Sequence, residues 1–160
     1  MIPLEEAQNY VLERVFQLSE ERLDISSAYS RVTAEVVTSK ELVPPFDNTA
    51  VDGYAVKAAD TDGATETNEV TLEVVGSIPA GVQPDFEIQH GQTARIMTGA
   101  PLPQGADAVV MVEWTNVGEN ENAVRVNRSV KNGDHIRKAG EDLYPDDQVI
   151  DQGISLTAAH

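Results

Sequence analysis

The sequence contains no cysteine, so thiol catalysis, thiolate metal sites and disulfide frameworks are all excluded, and a reducing compartment is the natural setting. Basic residues are scarce. Eleven Lys and Arg stand against 27 Asp and Glu, a formal net charge of -16 that repels phosphate backbones, so no nucleic acid partner is expected. Long apolar runs are missing too: the densest stretch, Ala106 to Val112, is far shorter than a bilayer requires, and no membrane association is expected. The segment Met1 to Gln8 is acidic and has neither a basic n-region nor a long apolar core, which does not read as a secretion signal and leaves the cytoplasm as the expected location. No HExxH, phosphate-loop or G-x-S-x-G motif occurs, and His90, His135 and His160 are not spaced as a zinc site. Internal repeats and low-complexity segments are absent.

What is present is a folding chain. Its 41% hydrophobic content, with repeated Val and Ile runs, argues against the disorder that such acidity otherwise suggests, and 160 residues suffice for one ordinary domain or two small ones. Leu4, Ala7, Val11, Val15 and Leu18 recur at spacings of three and four, which predicts a helix from Pro3 to Leu18 with one buried face. Pro3 suits its first turn, and Glu5 and Glu6 suit the positive end of its dipole. Leu23 to Ile25 reads as a short strand, and Ser26 to Ser30 as a single helical turn leading into Val32 to Val37.

After Val43 the pattern changes to short Val-, Ile- and Thr-rich runs between turn signals. Strands are expected at Tyr54–Lys57, Glu69–Val75, Thr93–Met97, Ala108–Thr115, Ala123–Asn127 and Gln148–Ile150, with turns at Asp62-Gly63, Asn132-Gly133 and Gln152-Gly153. Trp114 is read as a strand packing residue. Leu156 to His160 reads as a helix beginning, with Ser155 or Thr157 as N-cap.

Three segments carry candidate chemistry. In Pro44-Pro45-Phe46-Asp47-Asn48-Thr49-Ala50-Val51-Asp52-Gly53 two prolines precede a dense set of turn residues, so Asp52 is either presented at a loop-to-strand junction or is half of a plain Asp-Gly turn. Thr98-Gly99-Ala100-Pro101 follows a strand directly. Its hydroxyl beside a glycine suits an anion, and the same residues suit an ordinary turn. Around Asn132-Gly133-Asp134 the residues Lys131, His135, Arg137 and Lys138 gather cations in a chain short of them, either as an anion grip or as a solvated face of ion pairs.

Taken in order, PPFDNTAVDGYA, RIMTGAPLPQGADAVV and GDHIRKAGED resemble successive blocks of the molybdopterin molybdenumtransferase family, which includes bacterial enzymes and the C-terminal part of gephyrin. The resemblance runs from about Val32 to the end. It implies a transferase of molybdenum cofactor biosynthesis, in which adenylylated molybdopterin and molybdate react, metal enters the dithiolene and AMP leaves, assisted by Mg²⁺. Asp52, Thr98 and Asp142 match the family's DGYA, MTGAP and GED blocks and are the implied catalytic residues. Asp52 and Asp142 are the implied metal ligands, Thr98 the donor to an oxyanion, and Arg137 and Lys138 the implied groups neutralising phosphate or molybdate.

The implied architecture is mainly β with an N-terminal α-helix: an elongated β framework, residues 1–46 and 134–160, carrying an inserted β-rich domain at 47–133. A pterin-binding domain would follow the helix start at Leu156, the active cleft would form between subunits of a homodimer, and this chain would be a half-site fragment inactive alone. The alternative is a non-catalytic binding or dimerisation module of the same fold. The chain departs from the family at Ser30, usually glycine before arginine, at Val51, often methionine, and at Asp146, a turn position often held by glycine.

Overall fold

The structure, a computed structural model, describes residues 2–118, 120 and 122–160. It divides into two compact units: Met1–Thr38 with Gln148–His160, and Ser39–Asp147. The fold is mainly β.

The first unit opens with α1, Leu4–Leu12, preceded by Pro3 and carrying Glu5 and Glu6 in its first turn. The helix is shorter than the periodicity predicts and none of its residues is buried. Val11, Val15 and Leu18 are 57%, 60% and 80% exposed, so no described part of the chain covers the apolar stripe. Without tertiary packing a nine-residue helix has little to extend it, and the chain leaves the helix at Glu13. The predicted strand at Leu23 to Ile25 is replaced by a single 3-10 turn at Ile25–Ser27.

The rest of this unit is a long-range zipper. β1, Val37–Thr38, pairs antiparallel with β10, Gln148–Ile150. Thr33 extends the pairing: its N–H donates to Ile154 O (3.0 Å), its hydroxyl donates to Asp151 O (2.7 Å) and accepts from Ile154 N–H (2.9 Å). Ser30 and Leu156 close it, Ser30 N–H donating to Leu156 O and Leu156 N–H to Arg31 O, both at 2.8 Å. The helix expected from Leu156 is a turn instead, in which the Thr157 hydroxyl accepts from Ala159 N–H.

Ser30 has φ of 62° and Asp146 a φ of 72°, the left-handed region that costs an L residue about 1–2 kcal/mol. Both are positions where the sequence departs from glycine. Since glycine itself costs about 0.5–1 kcal/mol in unfolded-state entropy, Ser30→Gly is expected to stabilise by a net ~0.5 kcal/mol. Asp146→Gly should gain less, because Asp tolerates this region. A urea midpoint for Ser30→Gly at or below that of the parent would contradict the expectation.

The second unit is built on a six-stranded sheet. Its strands are β3 (Gly53–Val56), β4 (Val70–Ile78), β5 (Gln92–Ile96), β6 (Ala108–Met111), β7 (Thr115–Val117) and β8 (Ala123–Val126), in the order β6-β3-β5-β4-β8-β7. The predicted single strand Ala108 to Thr115 is interrupted by a 3-10 turn, Val112–Trp114. Trp114 sits on that turn. There it packs against the core, meets the His135 ring at a tilt with centroids 5.2 Å apart, and lies under Arg128 at 4.5 Å.

Alternation explains why each face has its own core. Val56, Leu72, Ala108, Val110, Val124 and Val126 lie in one cluster, and Ala55, Ile78, Ala94, Ile96 and Val109 in the other. On β4, Val70, Leu72 and Val74 face the first cluster while Ile78 faces the second. An irregularity between Val74 and Gly76 accounts for the change of phase, since one extra residue moves everything after it to the other face. β4 and β5 pair in parallel and the crossover between them returns Ile88, fully buried, to the second cluster.

A small antiparallel sheet, β2 (Asn48–Thr49) with β9 (Ile136–Arg137), ties the first motif to the third. No described helix is long and apolar enough to cross a membrane.

Candidate functional site

The first motif folds on its own side chains. Asn48 Nδ2 donates to Phe46 O at 3.1 Å, and the Thr49 hydroxyl donates to Val51 O at 2.7 Å while accepting from Val51 N–H. Both residues are buried, so these bonds satisfy polar atoms that water cannot reach. The result is a fixed turn that delivers Asp52 to the start of β3.

The second motif meets it there. Gly99 N–H donates to Thr49 O and Thr49 N–H to Ala100 O, which lays the MTGAP loop along β2. Thr98 then donates twice to one carboxylate oxygen, Asp52 Oδ1, from its N–H (2.8 Å) and its hydroxyl (2.7 Å). Those two bonds, with the positive charge of Arg95, hold the Asp52 carboxyl below its ordinary pKa. Asp52 is therefore an exposed carboxyl whose ionised form is favoured and whose one oxygen is fixed. The oxyanion that Thr98 serves in this structure is Asp52 itself.

The third motif is pinned to the first. Gly140 N–H donates to Pro44 O (2.9 Å) and Asp142 N–H to Val43 O (2.8 Å), while Arg137 lies opposite Asn48 in the β2–β9 pair. Arg137 forms an ion pair with Asp142. Lys138 Nζ pairs with Asp47 Oδ2 at 2.7 Å, and Ala139 N–H donates to Asp47 Oδ1 at 2.9 Å. His135 Nδ1 donates to Val109 O at 2.7 Å and is a structural residue. Of the cations gathered in sequence, Arg137 and Lys138 are thus shared out to separate carboxylates.

Of the residues expected at the site, Asp52 joins Thr98, and Arg137 joins Asp142. No bond links these two pairs, and no set of three or more Asp, Glu, His or Cys among the described residues is placed to hold a metal ion.

Asp47 is the residue that sequence reasoning passed over. Lys138 and the Ala139 N–H together lower its pKa, so the ionised form is the one the fold uses. Its only sequence signal was a place in a dense loop. A lowered carboxyl pKa gives stability that is complete above the unfolded value and lost as pH falls through the folded one. Asp47→Asn is therefore expected to flatten the acid limb of the stability curve below about pH 4, the ordinary Asp range. Urea titrations at stepped pH test this, and an acid limb identical to the parent's would show that the Asp47 charge adds nothing to the stability of the fold.

Residues 2–160 match the family described as the MoeA N-terminal region (domain I and II). The chain belongs to that family. It is 37% identical over 158 residues to a molybdopterin molybdenumtransferase of Bacillus subtilis, covering 98% of this chain and 37% of the relative. It is 39% identical over 159 residues to molybdopterin molybdenumtransferase 2 of Mycobacterium tuberculosis H37Rv, covering 99% and 39%. A crystal structure of a molybdopterin biosynthesis moeA protein from Pyrococcus horikoshii superposes with a TM-score of 0.90 at 33% identity, covering 99% of this chain and 42% of that one. The chain is thus homologous to molybdopterin molybdenumtransferases of molybdenum cofactor biosynthesis and spans well under half the length of these relatives.

Proposed function

We propose that this chain supplies one part of the reaction centre that inserts molybdate-derived metal into adenylylated molybdopterin with release of AMP. The observation that carries the reading is the ionised Asp52, fixed by Thr98 where two of the family's motifs meet. An exposed carboxylate with a single committed oxygen is preorganised to bind cationic or metal-bridged groups without first losing a proton.

Mg²⁺ fits this reading through Asp52. Mg²⁺ uses one or two carboxylates with substrate phosphates and waters, and the Thr98 bonds engage only Oδ1, leaving the other oxygen of an exposed side chain. When bound it would neutralise phosphate charge on the leaving adenylyl group. Asp142 has Arg137 as its partner and joins as a second ligand only if that pair opens. Arg137 and Lys138, held by Asp142 and Asp47, are placed to exchange those carboxylates for phosphate or molybdate oxygens.

These 160 residues correspond to 37–39% of the two relatives' length, and in this proposal the groups that position the pterin lie in the remainder of such proteins, so the 160 residues by themselves are expected to be inactive. A cytoplasmic homodimer is part of the same proposal. The uncovered stripe of α1 supports a partner surface, with Leu4 at 74% and Val11 at 57% exposure.

The test is AMP release from adenylylated molybdopterin and molybdate. The natural protein carrying this region should release AMP, and this chain alone should not. Absence of AMP release from the natural protein would overturn the transferase reading in favour of a non-catalytic binding or dimerisation module.

A further inference from the structure

β6 lies at one end of the sheet order, with β3 on one side only, and the turn before β9 bonds to its other edge. Gly133 N–H donates to Asp107 O at 2.8 Å and Val109 N–H to Asp134 O at 3.1 Å. The next acceptor along that edge is Val109 O. Val109 is fully buried, so water cannot serve its carbonyl, and His135 serves it with a side chain, Nδ1 donating at 2.7 Å.

The main chain of His135 is meanwhile turned elsewhere. Its φ of 60° lies in the left-handed region that few residues other than glycine adopt. At this corner the backbone leaves β6 for β2: His135 O accepts Ala50 N–H at 2.9 Å, and Ile136 lies opposite Thr49. One residue thus ends the ladder on β6 with its ring and begins the ladder on β2 with its carbonyl. The Trp114 ring backs the imidazole at a tilt of 60°.

Ala50 stands between the two residues that matter to the site. Thr49, before it, holds the MTGAP loop at Gly99 and Ala100, and Asp52, two residues after it, is held by Thr98 of that same loop. The bond from Ala50 to His135 therefore ties the loop that bears Asp52 to the buried strand β6. The corner demands two properties together, tolerance of a positive φ and an N–H donor on the atom next to Cγ. His meets both through Nδ1 and Asn through Nδ2, whereas Ala has neither and Gly has only the first.

We propose that His135 is a positioning residue for Asp52, acting through the Ala50 N–H. The inference rests on the proposed function only for what Asp52 does; that His135 fixes the loop stands on the bonds alone.

The test is amide hydrogen exchange followed by NMR on this chain, joined to kcat and KM for AMP release by the natural protein carrying this region. In His135→Ala the Ala50 and Thr98 amides should exchange about fivefold faster or more relative to the Glu73 amide, which is bonded to Gly91 O on β4. His135→Gly accepts the φ but lacks the donor and should do the same, while His135→Asn should keep the parental ratio. Leu72→Ala, a cavity in the first core cluster, should lower the urea midpoint and leave the ratio unchanged, which separates positioning from stability. In the natural protein His135→Ala and His135→Gly should lower kcat about tenfold or more with KM near parental, and His135→Asn should keep the parental kcat. Circular dichroism confirms that each variant folds. An unchanged exchange ratio, a parental kcat in both the Ala and Gly variants, or an Asn variant as impaired as the Ala variant overturns the proposal and leaves the transferase reading standing. The expected exchange pattern, with no AMP release from the unsubstituted natural protein, would overturn the transferase reading and keep His135 as the residue that fixes the Asp52 loop.

Discussion

Asp52→Asn is expected to lower AMP release by the natural protein carrying this region about 100-fold or more, while the variant stays folded with only a small fall in the unfolding midpoint at neutral pH. The substitution separates charge from shape. An asparagine Oδ1 accepts the same two bonds from Thr98 N–H and Oγ1, so the turn that delivers residue 52 is kept and only the negative charge is lost. Thr98→Ser keeps both donors and should stay near parental activity.

Thr98→Val keeps the N–H alone. Its Asp52 carboxyl loses one of the bonds that lower its pKa, so the fraction ionised falls at a higher pH than in the parent. At pH 7 the group is still charged, and the loss there is one of orientation. The acid limb of the activity profile should therefore move upward in Thr98→Val and vanish with the activity in Asp52→Asn. Retention of more than about a tenth of the parental rate by a folded Asp52→Asn variant would remove residue 52 from the chemistry.

Gly53→Ala should cost the fold about 3 kcal/mol or more, the largest stability effect expected of any single methyl here. An ideal Cβ at residue 53 lies 2.0 Å from Val110 O and 2.9 Å from Val110 C, atoms of the neighbouring strand's backbone that no rotamer change can move. Accommodating it means parting β3 from β6, where Gly53 and Tyr54 lie opposite Met111 and Val110, and opening both cores at once. Gly99 makes the contrast. No atom lies within 4 Å of its added Cβ, but its φ is 79°, so Gly99→Ala should cost only the left-handed penalty less the entropy saved in the unfolded chain, a net ~0.5–1 kcal/mol. Urea unfolding followed by the fluorescence of Trp114, the single tryptophan, measures both. A Gly53→Ala midpoint equal to that of Gly99→Ala would show that the sheet yields where the packing says it cannot.

Most strands were legible because alternation and turn residues are local. Gln148–Ile150 falls where the run of residues placed it, and β3, β5 and β8 lie within one residue of their expected ends. The misses share one cause. The α1 stripe has helical spacing, but burial needs a covering surface, and spacing carries no information about one. The run from Ala108 to Thr115 is continuous in hydrophobicity, and only the demand that β6 and β7 sit at opposite ends of one sheet breaks it at Val112.

By itself the sequence determined the chain's class and family: an acidic, cysteine-free, mainly β protein whose three ordered motifs resemble those of molybdopterin molybdenumtransferases. It also marked Ser30 and Asp146 as turn positions held without glycine. Tertiary structure alone decided that Thr98 bonds Asp52 across 46 residues, that Lys138 pairs with Asp47, that Gly53 exists for a close approach and not for a turn, and that β4 changes face midway. The physical reason is range. Propensity and alternation act between residues a few positions apart, whereas charge pairing, close packing and strand register depend on which distant segments the fold brings to van der Waals distance.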